Sequence, residues 1–441
     1  MIRTLDLRDA RLTRSQIQDK LPRIETDIEL ALATARELID DISARGVDAL
    51  RDQAQKFDHV TDYELRVPES HVLEAMDALD PSLREAILES IRRVHIASAA
   101  GVPPERTVEV SSGARVTQRW LPVERVGLYV PGGKAVYPSS VIMNAVAAQV
   151  AGVSSIAIAS PPQAEFAGRV HPTILATAGL LGMDEIYAIG GAGAVGAFAH
   201  GVESIGLDPV RVITGPGNVY VAAAKRLVRG IVGIDSEAGP TEILIIADDS
   251  ADPHLVAADL ISQAEHDELA SAVLVTTSVD LAQRVEAELA RQVGKTRHQE
   301  RVVQALSGTQ SAIVLVPDLA VAVTVSNLYA PEHLEVHTEN AHELLPELVN
   351  AGAVFVGPSS PVSLGDYLAG SNHVLPTAGQ AMFSSGLGSY TFLRAQQVIE
   401  YSTEALREVR DHIRVFADDE NLPAHADAVD ARFSEFSIEE A

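Results

Sequence analysis

The spacing of apolar and polar positions divides the 441-residue chain into three stretches. Up to about Val102 apolar residues recur every three or four positions, with amphipathic patterns over Asp27 to Phe57 and Ser70 to Ile96, so helices are expected there. Val108, Val110, Val116 and Gln118 then alternate about Ser112-Gly113, which predicts a hairpin with an architectural role. From Arg125 short β-rich runs alternate with helical segments. Strands are expected at Arg125–Val130, Ser155–Ala159, Glu185–Ile189, Arg211–Thr214, Glu242–Ala247, Ala272–Thr276, Ile313–Val316 and Val354–Val356. Such alternation predicts an α/β protein with mostly parallel sheets, and this many strands suit two sheets better than one. After Phe383 the strand pattern ends, and a helical tail, including Ser402–Phe416 and His425–Phe433, is expected to Ala441.

Composition narrows the class. The chain is too long for one ordinary core, so at least two domains are expected. A net charge of −27 argues against a nucleic-acid partner, because phosphate neutralisation needs basic surface. An anionic cofactor would then sit on backbone N–H groups. The charged first residues contain no apolar signal core. The longest apolar stretch, Val141 to Ala159, is broken by Asn144, Gln149, Gly152, Ser154 and Ser155, so it predicts helix, turn and strand rather than a membrane span. A cytoplasmic location is the resulting expectation. The absence of cysteine removes disulfides, thiolate metal sites and a thiol nucleophile. Aldehyde chemistry in this chain would need water activated by a base or a metal.

Three strand–glycine–helix loops invite a nucleotide. Gly191-Ala192-Gly193-Ala194-Val195-Gly196 fits G-x-G-x-x-G, but the acid expected about twenty positions on, at the end of a second strand, is missing. The plainer reading is that small residues let a helix pack closely. Tyr129-Val130-Pro131-Gly132-Gly133 precedes a helix capped near Ser139, and Gly215-Pro216-Gly217-Asn218 leads into Val219–Val228 with Asn218 as N-cap. Each alone is as readily a plain turn; together they favour a nucleotide site, with Tyr129 able to stack or hydrogen-bond.

The polar clusters carry the candidate chemistry. Pro253 to Leu260 predicts an amphipathic helix with Leu255, Ala258, Leu260 and Ile261 available for burial, and Gln263 and His266, three apart, would share its face. The bland alternative is a histidine decorating a helix end. Glu332-His333 is expected on a helix opened by Pro331, where neighbours project about 100° apart and handle different protons rather than pairing. A solvated helix start is the competing reading. Asp366 and His373 lie on a glycine-punctuated loop, and Glu420 and His425 repeat the pairing of acid with histidine in what is otherwise a solvated tail. A zinc site without sulfur uses imidazole nitrogen and carboxylate or amide oxygen, a set that Gln263, His266, Asp366 and His425 can supply if distant segments meet.

The ordered motifs Arg125-Val126-Gly127-Leu128-Tyr129-Val130-Pro131-Gly132-Gly133, Gly215-Pro216-Gly217-Asn218, Ala238-Gly239-Pro240-Thr241-Glu242, Ser262-Gln263-Ala264-Glu265-His266, Ala330-Pro331-Glu332-His333-Leu334-Glu335 and Gly370-Ser371-Asn372-His373-Val374-Leu375-Pro376-Thr377 resemble the histidinol dehydrogenase family. The resemblance implies a homodimeric enzyme with one Zn2+ per subunit that oxidises L-histidinol through L-histidinaldehyde to L-histidine with two NAD, the last step of histidine biosynthesis. It implies zinc ligands Gln263, His266, Asp366 and His425, the last lent by the other subunit, so that the dimer shares its active sites. Glu332 and His333 would be the acid–base residues; Thr241, His333, His373 and Glu420 would join the zinc ligands in holding substrate; Tyr129 and Asn218 would contact NAD. The implied fold is two incomplete Rossmann-like parallel-sheet domains, one inserted in the other, with small helical terminal segments. Its expected bounds are an N-terminal segment 1–25, a discontinuous first domain 26–126 plus 243–381, a second domain 127–242 and a C-terminal helical dimerisation arm 382–441.

Three departures from the family pattern matter. Gly193 stands where the family often has a glutamine that contacts NAD; Thr241 replaces a serine, keeping the hydroxyl; Asn421 replaces a glycine, which left-handed backbone tolerates. The alternative function is a paralogue of the same fold acting on another amino alcohol or diol. A zinc hydrolase fits the ligand set but not the glycine loops.

Overall fold

The computed structural model describes residues 2–8, 12–23, 28–132, 136–237 and 239–433. Gly133 and Ala238, which belong to two of the motifs, lie outside the described residues, as do Asp27 and the tail beyond 433. The chain divides into two compact units, Met1–Gly101 with Val123–Phe392, and Val102–Pro122 with Leu393–Ala441.

The first unit contains two wholly parallel sheets. One has six strands in the order β1 (Arg3–Asp6), β11 (Ala312–Leu315), β10 (Ser271–Thr276), β9 (Glu242–Ala247), β12 (His333–His337) and β13 (Ala353–Val356). Every residue of β9 and β10 is buried, as expected of central parallel strands covered by helices on both faces. Ile243, Ile245 and Leu274 meet Leu260, Ile261, Leu281 and Leu289 on one face, while Leu244, Ile246 and Val275 meet Val325, Leu328 and Tyr329 on the other. The second sheet has five strands in the order β6 (Ile186–Ala188), β5 (Ser155–Ser160), β4 (Arg125–Tyr129), β7 (Val212–Thr214) and β8 (Gly233–Ile234). Its glycines serve close approach: a Cβ at Gly127 would lie 2.6 Å from the Phe198 ring, so strand and helix touch only because that carbon is missing.

The second unit is the hairpin β2 (Arg106–Ser111) and β3 (Ala114–Pro122), turned at Gly113 with φ +76°, extended by β14 (Leu393–Tyr401) and followed by helices Thr403–Asp419 and Pro423–Asp430.

Four strands differ from the expectation. The tail does not become helical at once, because β14 first pairs along all of β3; its residues face water on both sides and so lack an apolar alternation. β1 is a short strand at the edge of its sheet, and β8 has two residues. Glu332-His333 does not open a helix. The preceding helix ends at Ala330 in the left-handed region, φ +46°, Pro331 follows, and His333–His337 runs as a strand between β9 and β13. Leu334 and Val336 fill the core on one face while His333, Glu335 and His337 occupy the other, a period of two. No helix among the described residues is long and apolar enough to cross a membrane.

Candidate active site

The site is built where β9 and β12 begin. These strands are parallel neighbours with His333 opposite Ile243, so Thr241-Glu242 and Glu332-His333 meet at their amino ends. Glu332 Oε2 accepts from the Thr241 hydroxyl at 2.5 Å and from the Glu242 N–H at 2.9 Å. A hydroxyl has one proton. With that proton directed to the carboxylate, the Thr241 lone pairs accept from Gln263 Nε2 at 2.7 Å. The amide is thereby oriented, and its Oε1 is left buried with no partner on a residue only 2 % exposed. A desolvated acceptor of this kind is suited to a donor or a cation.

His333 lies 3.6 Å from Glu332 Oε2, too far for a hydrogen bond. Its Nδ1 instead faces the Glu242 carbonyl at 3.0 Å. A carbonyl only accepts, so Nδ1 carries a proton and Nε2 is the nitrogen left to exchange one. The two side chains are thus held by different partners, His333 at the start of the strand and Glu332 just before it.

Helix Pro253–Ala264 is capped by Asp252 and buries Val256, Ala257, Leu260 and Ile261, with Leu255 and Ala258 only partly covered. Gln263 lies in its last turn and His266 just past Glu265, the C-cap, rather than on the helix itself. His266 Nε2 is 3.9 Å from Asp366 Oδ2, and His373 Nδ1 is 4.0 Å from Asp366 Oδ1. Asp366 belongs to helix Val362–Tyr367; its carbonyl accepts from His373 Nδ1 at 3.0 Å, which turns His373 Nε2 toward the Ser140 hydroxyl at 3.4 Å. Burial lowers the His373 pKa, against the opposing pull of Asp366, and favours the neutral ring. Thr241, Gln263, His266, Glu332, His333, Asp366 and His373 all belong to the first unit.

Glu420 and His425 belong to the second unit. Glu420 is the C-cap of helix Thr403–Asp419, Asn421 turns the chain with φ +57°, and Pro423 opens the helix that carries His425. Both side chains are exposed. Asn421 takes the left-handed conformation that makes its replacement of glycine tolerable.

The glycine loops lie at the carboxyl end of the five-stranded sheet. Tyr129 is buried, and its hydroxyl accepts from the Gly191 N–H at 3.1 Å, occupying the amino end of helix Gly191–His200. Gly193 and Gly196 face Gln53, Ile39 and Ile42, so the G-x-G-x-x-G pattern here serves helix packing. Asn218 caps helix Val219–Val228 through Tyr220 and Val221 N–H. Gly215, with φ +119°, would place a Cβ 1.9 Å from the Tyr129 carbonyl. Its N–H donates to Asp235 Oδ2 at 2.8 Å, and buried Lys225 bridges Asp235 Oδ1 at 2.6 Å.

Several groups escaped the sequence reading. Glu242 is 7 % exposed, with Oε2 unpartnered; burial first, then the charge of Glu332, pushes its carboxyl up to about 8 against the pull of Arg23. Its signal was an acid opening an otherwise apolar strand. Asp259, Glu335 and His337 bring one metal-compatible atom each within 4.8 Å of one another. This group is distinct from the expected zinc ligands. Val362 N–H already donates to Glu335 Oε1 at 2.8 Å, and burial, then the charge of Glu335, raises the Asp259 carboxyl to about 7. Recognising β12 as a strand would have placed His333, Glu335 and His337 on one face.

A family model described as histidinol dehydrogenase matches residues 21–433. The histidinol dehydrogenase of Leifsonia xyli is 60% identical over 434 residues, covering 98% of this chain and 100% of the relative. That of Mycobacterium tuberculosis is 54% identical over 432 residues, with 97% of each chain covered. The crystal structure of histidinol dehydrogenase from Elizabethkingia anophelis superposes with a TM-score of 0.91 at 32% identity, covering 98% of both chains.

Proposed function

The chain belongs to the histidinol dehydrogenase family, and from that premise we propose that it carries out the last step of histidine biosynthesis by oxidising L-histidinol to L-histidine with zinc and NAD. The observation that carries the metal reading is the buried, unpartnered Oε1 of Gln263, taken with the approach of His266 Nε2 to Asp366 Oδ2. With no cysteine in the chain, an oxygen and nitrogen donor set is what a zinc ion would find. Gln263, His266 and Asp366 would hold it, and the partner subunit's His425 would complete the set.

When bound, zinc would supply Lewis acidity toward the substrate hydroxyl, and two NAD molecules would accept one hydride each. His333 Nε2 takes the hydroxyl proton in the alcohol step. Glu332, positioned by the Thr241 hydroxyl and the Glu242 N–H, takes a proton from the water that hydrates the aldehyde. Thr241, His373 and the partner subunit's Glu420 orient the substrate. Tyr129, which ends β4, and Asn218, in the loop after β7, would contact NAD; at Gly193, which faces Gln53 and Ile42, the glutamine contact of the family is absent.

A homodimer with shared sites accords with the exposed apolar residues of the second unit. Val108 and Ile399 flank Val116 across its sheet at 58% and 65% exposure, and Val415 and Phe416 stand 68% and 70% exposed on the helix before Glu420. Such surface is suited to a second copy. Most strands of the six-stranded sheet come from residues 242–356 and those of the five-stranded sheet from residues 125–234, β1 being drawn from the N-terminal segment.

The test is purified protein with zinc, NAD and histidinol, counting NADH per histidine. Two NADH for each histidine supports the reading. NADH from another amino alcohol with little from histidinol would favour a paralogous specificity, and no NADH at all would reject a dehydrogenase.

A further inference from the structure

His333 opens β12 and His337 closes it, four residues and so about 13 Å further along the strand. At that far end a second polar group is gathered. Helix Pro253–Ala264 lays Asp259 against Glu335 and His337, and one ligand atom from each of the three lies within 4.8 Å of the other two. Glu335 is fully buried and His337 is 4 % exposed. Glu335 Oε2 is 3.2 Å from His337 Nε2, and the Asp259 carboxyl hydrogen-bonds to Glu335. The charges that act on Asp259 are those of Glu335 and His337, with no lysine or arginine among them. No fixed cation therefore balances two desolvated carboxylates, an arrangement that is costly until a proton or a metal ion does so.

His337 also borders a cavity of about 330 Å³ lined by Asp252, Leu255, Thr338 and Pro358. The Thr338 hydroxyl is buried without a partner among the described residues, on a residue 9 % exposed. The cavity thus brings room for water and a spare oxygen donor to the imidazole. The spacing of the donors suits a metal ion. Bonds of about 2.0–2.1 Å at tetrahedral angles set neighbouring ligand atoms about 3.3 Å apart, which the 3.2 Å between Glu335 and His337 matches. Two carboxylates and an imidazole without sulfur fit zinc or manganese rather than a soft ion.

We propose that Asp259, Glu335 and His337 form a second site for a zinc-like divalent cation, which clamps helix Pro253–Ala264 to β12. The site is separate from Gln263, His266 and Asp366 and does not rest on their reading as ligands. Asp259 stands one turn before Gln263 on the helix, and Glu335 stands two residues after His333 on the strand. An ion here therefore fixes the two elements that present the candidate active site while lying too far along the strand to touch substrate. It takes the place of the Asp259 proton, which burial and then the charge of Glu335 retain up to about pH 7. Binding therefore tightens as pH rises toward that value.

Calorimetric titration of Zn2+ into the full-length, chelator-stripped protein tests this without turnover. Wild type should take up about two ions per subunit and His266→Ala/His425→Ala, which lacks both nitrogen donors of the other site, about one. Adding His337→Gln to that pair keeps the bulk of the side chain and removes its nitrogen, and should weaken the remaining site at least about a hundredfold. Asp259→Asn makes the same comparison should His337→Gln not fold. In His266→Ala/His425→Ala the affinity should fall about tenfold from pH 7 to pH 6, and zinc should raise the melting temperature, an effect lost on adding His337→Gln. A folded His266→Ala/His425→Ala chain that takes up no zinc, or takes it up equally with His337→Gln and with Asp259→Asn, overturns the second site and leaves the catalytic metal reading standing. Zinc uptake unaffected by His266→Ala/His425→Ala but lost in His337→Gln overturns the catalytic metal reading alone.

Discussion

Replacing Thr241 with valine keeps the shape of the side chain and deletes two hydrogen bonds at once. The hydroxyl donates to Glu332 at 2.5 Å and accepts from Gln263 at 2.7 Å, so it ties the proposed base to a proposed metal ligand. A hydrogen bond to a charged group contributes about 1.5–3 kcal/mol, and a buried amide left without an acceptor costs about 1–3 kcal/mol. These losses overlap because one hydroxyl serves both. A net effect of about 3 kcal/mol corresponds to roughly a hundredfold drop in kcat/KM. Thr241→Ser, which retains the hydroxyl, should stay within about threefold of wild type. The assay is NADH formation from histidinol and separately from histidinaldehyde, with zinc content measured on the same samples. Because Gln263 loses the partner that orients it, Thr241→Val should also hold less zinc after dialysis. A valine variant within about threefold of wild type in both oxidations would refute the relay.

Glu332→Gln should slow histidinaldehyde oxidation by about 10²–10⁴-fold and the alcohol step less; equal losses in single-turnover measurements of both steps would deny the division of labour with His333. Glu242 ionises near about 4.3 in the unfolded chain but near about 8 in the fold, so its contribution to stability is full below the first value and lost as pH rises through the second. Glu242→Gln should therefore lose less melting temperature than wild type between pH 6 and pH 9. Lys225→Met strands buried Asp235 and should cost about 3–5 kcal/mol of stability, measurable in urea, with weakened NAD binding because Gly215 loses its anchor.

The regular part of the fold was legible because central parallel strands are continuous apolar runs and several helices announce their caps. Asn218 and the Ser112-Gly113 hairpin came directly from local chemistry. What stayed hidden was polar residues inside strands. In β12 the alternation His-Leu-Glu-Val-His sits in the middle of a sheet because Val362 N–H, the Glu242 carbonyl and Asp259 satisfy its inward side chains, and none of these is near it in sequence. β14 faces water and therefore carries no burial pattern. At the site, the motifs named the candidate side chains, but the hydroxyl of Thr241 joins residues 91 and 22 positions away. The burial of Glu242 likewise depends on packing across the fold rather than on spacing.

Mixing two dead variants tests most directly whether a metal centre is assembled from two subunits. Coexpressed His266→Ala and His425→Ala chains form heterodimers in which one of two shared sites carries both lesions and the other carries none. Random pairing then restores about a quarter of wild-type histidine formation, with zinc in proportion. Mixed dimers that remain as inactive as either parent would contradict the account, because each site would then take all of its ligands from a single chain.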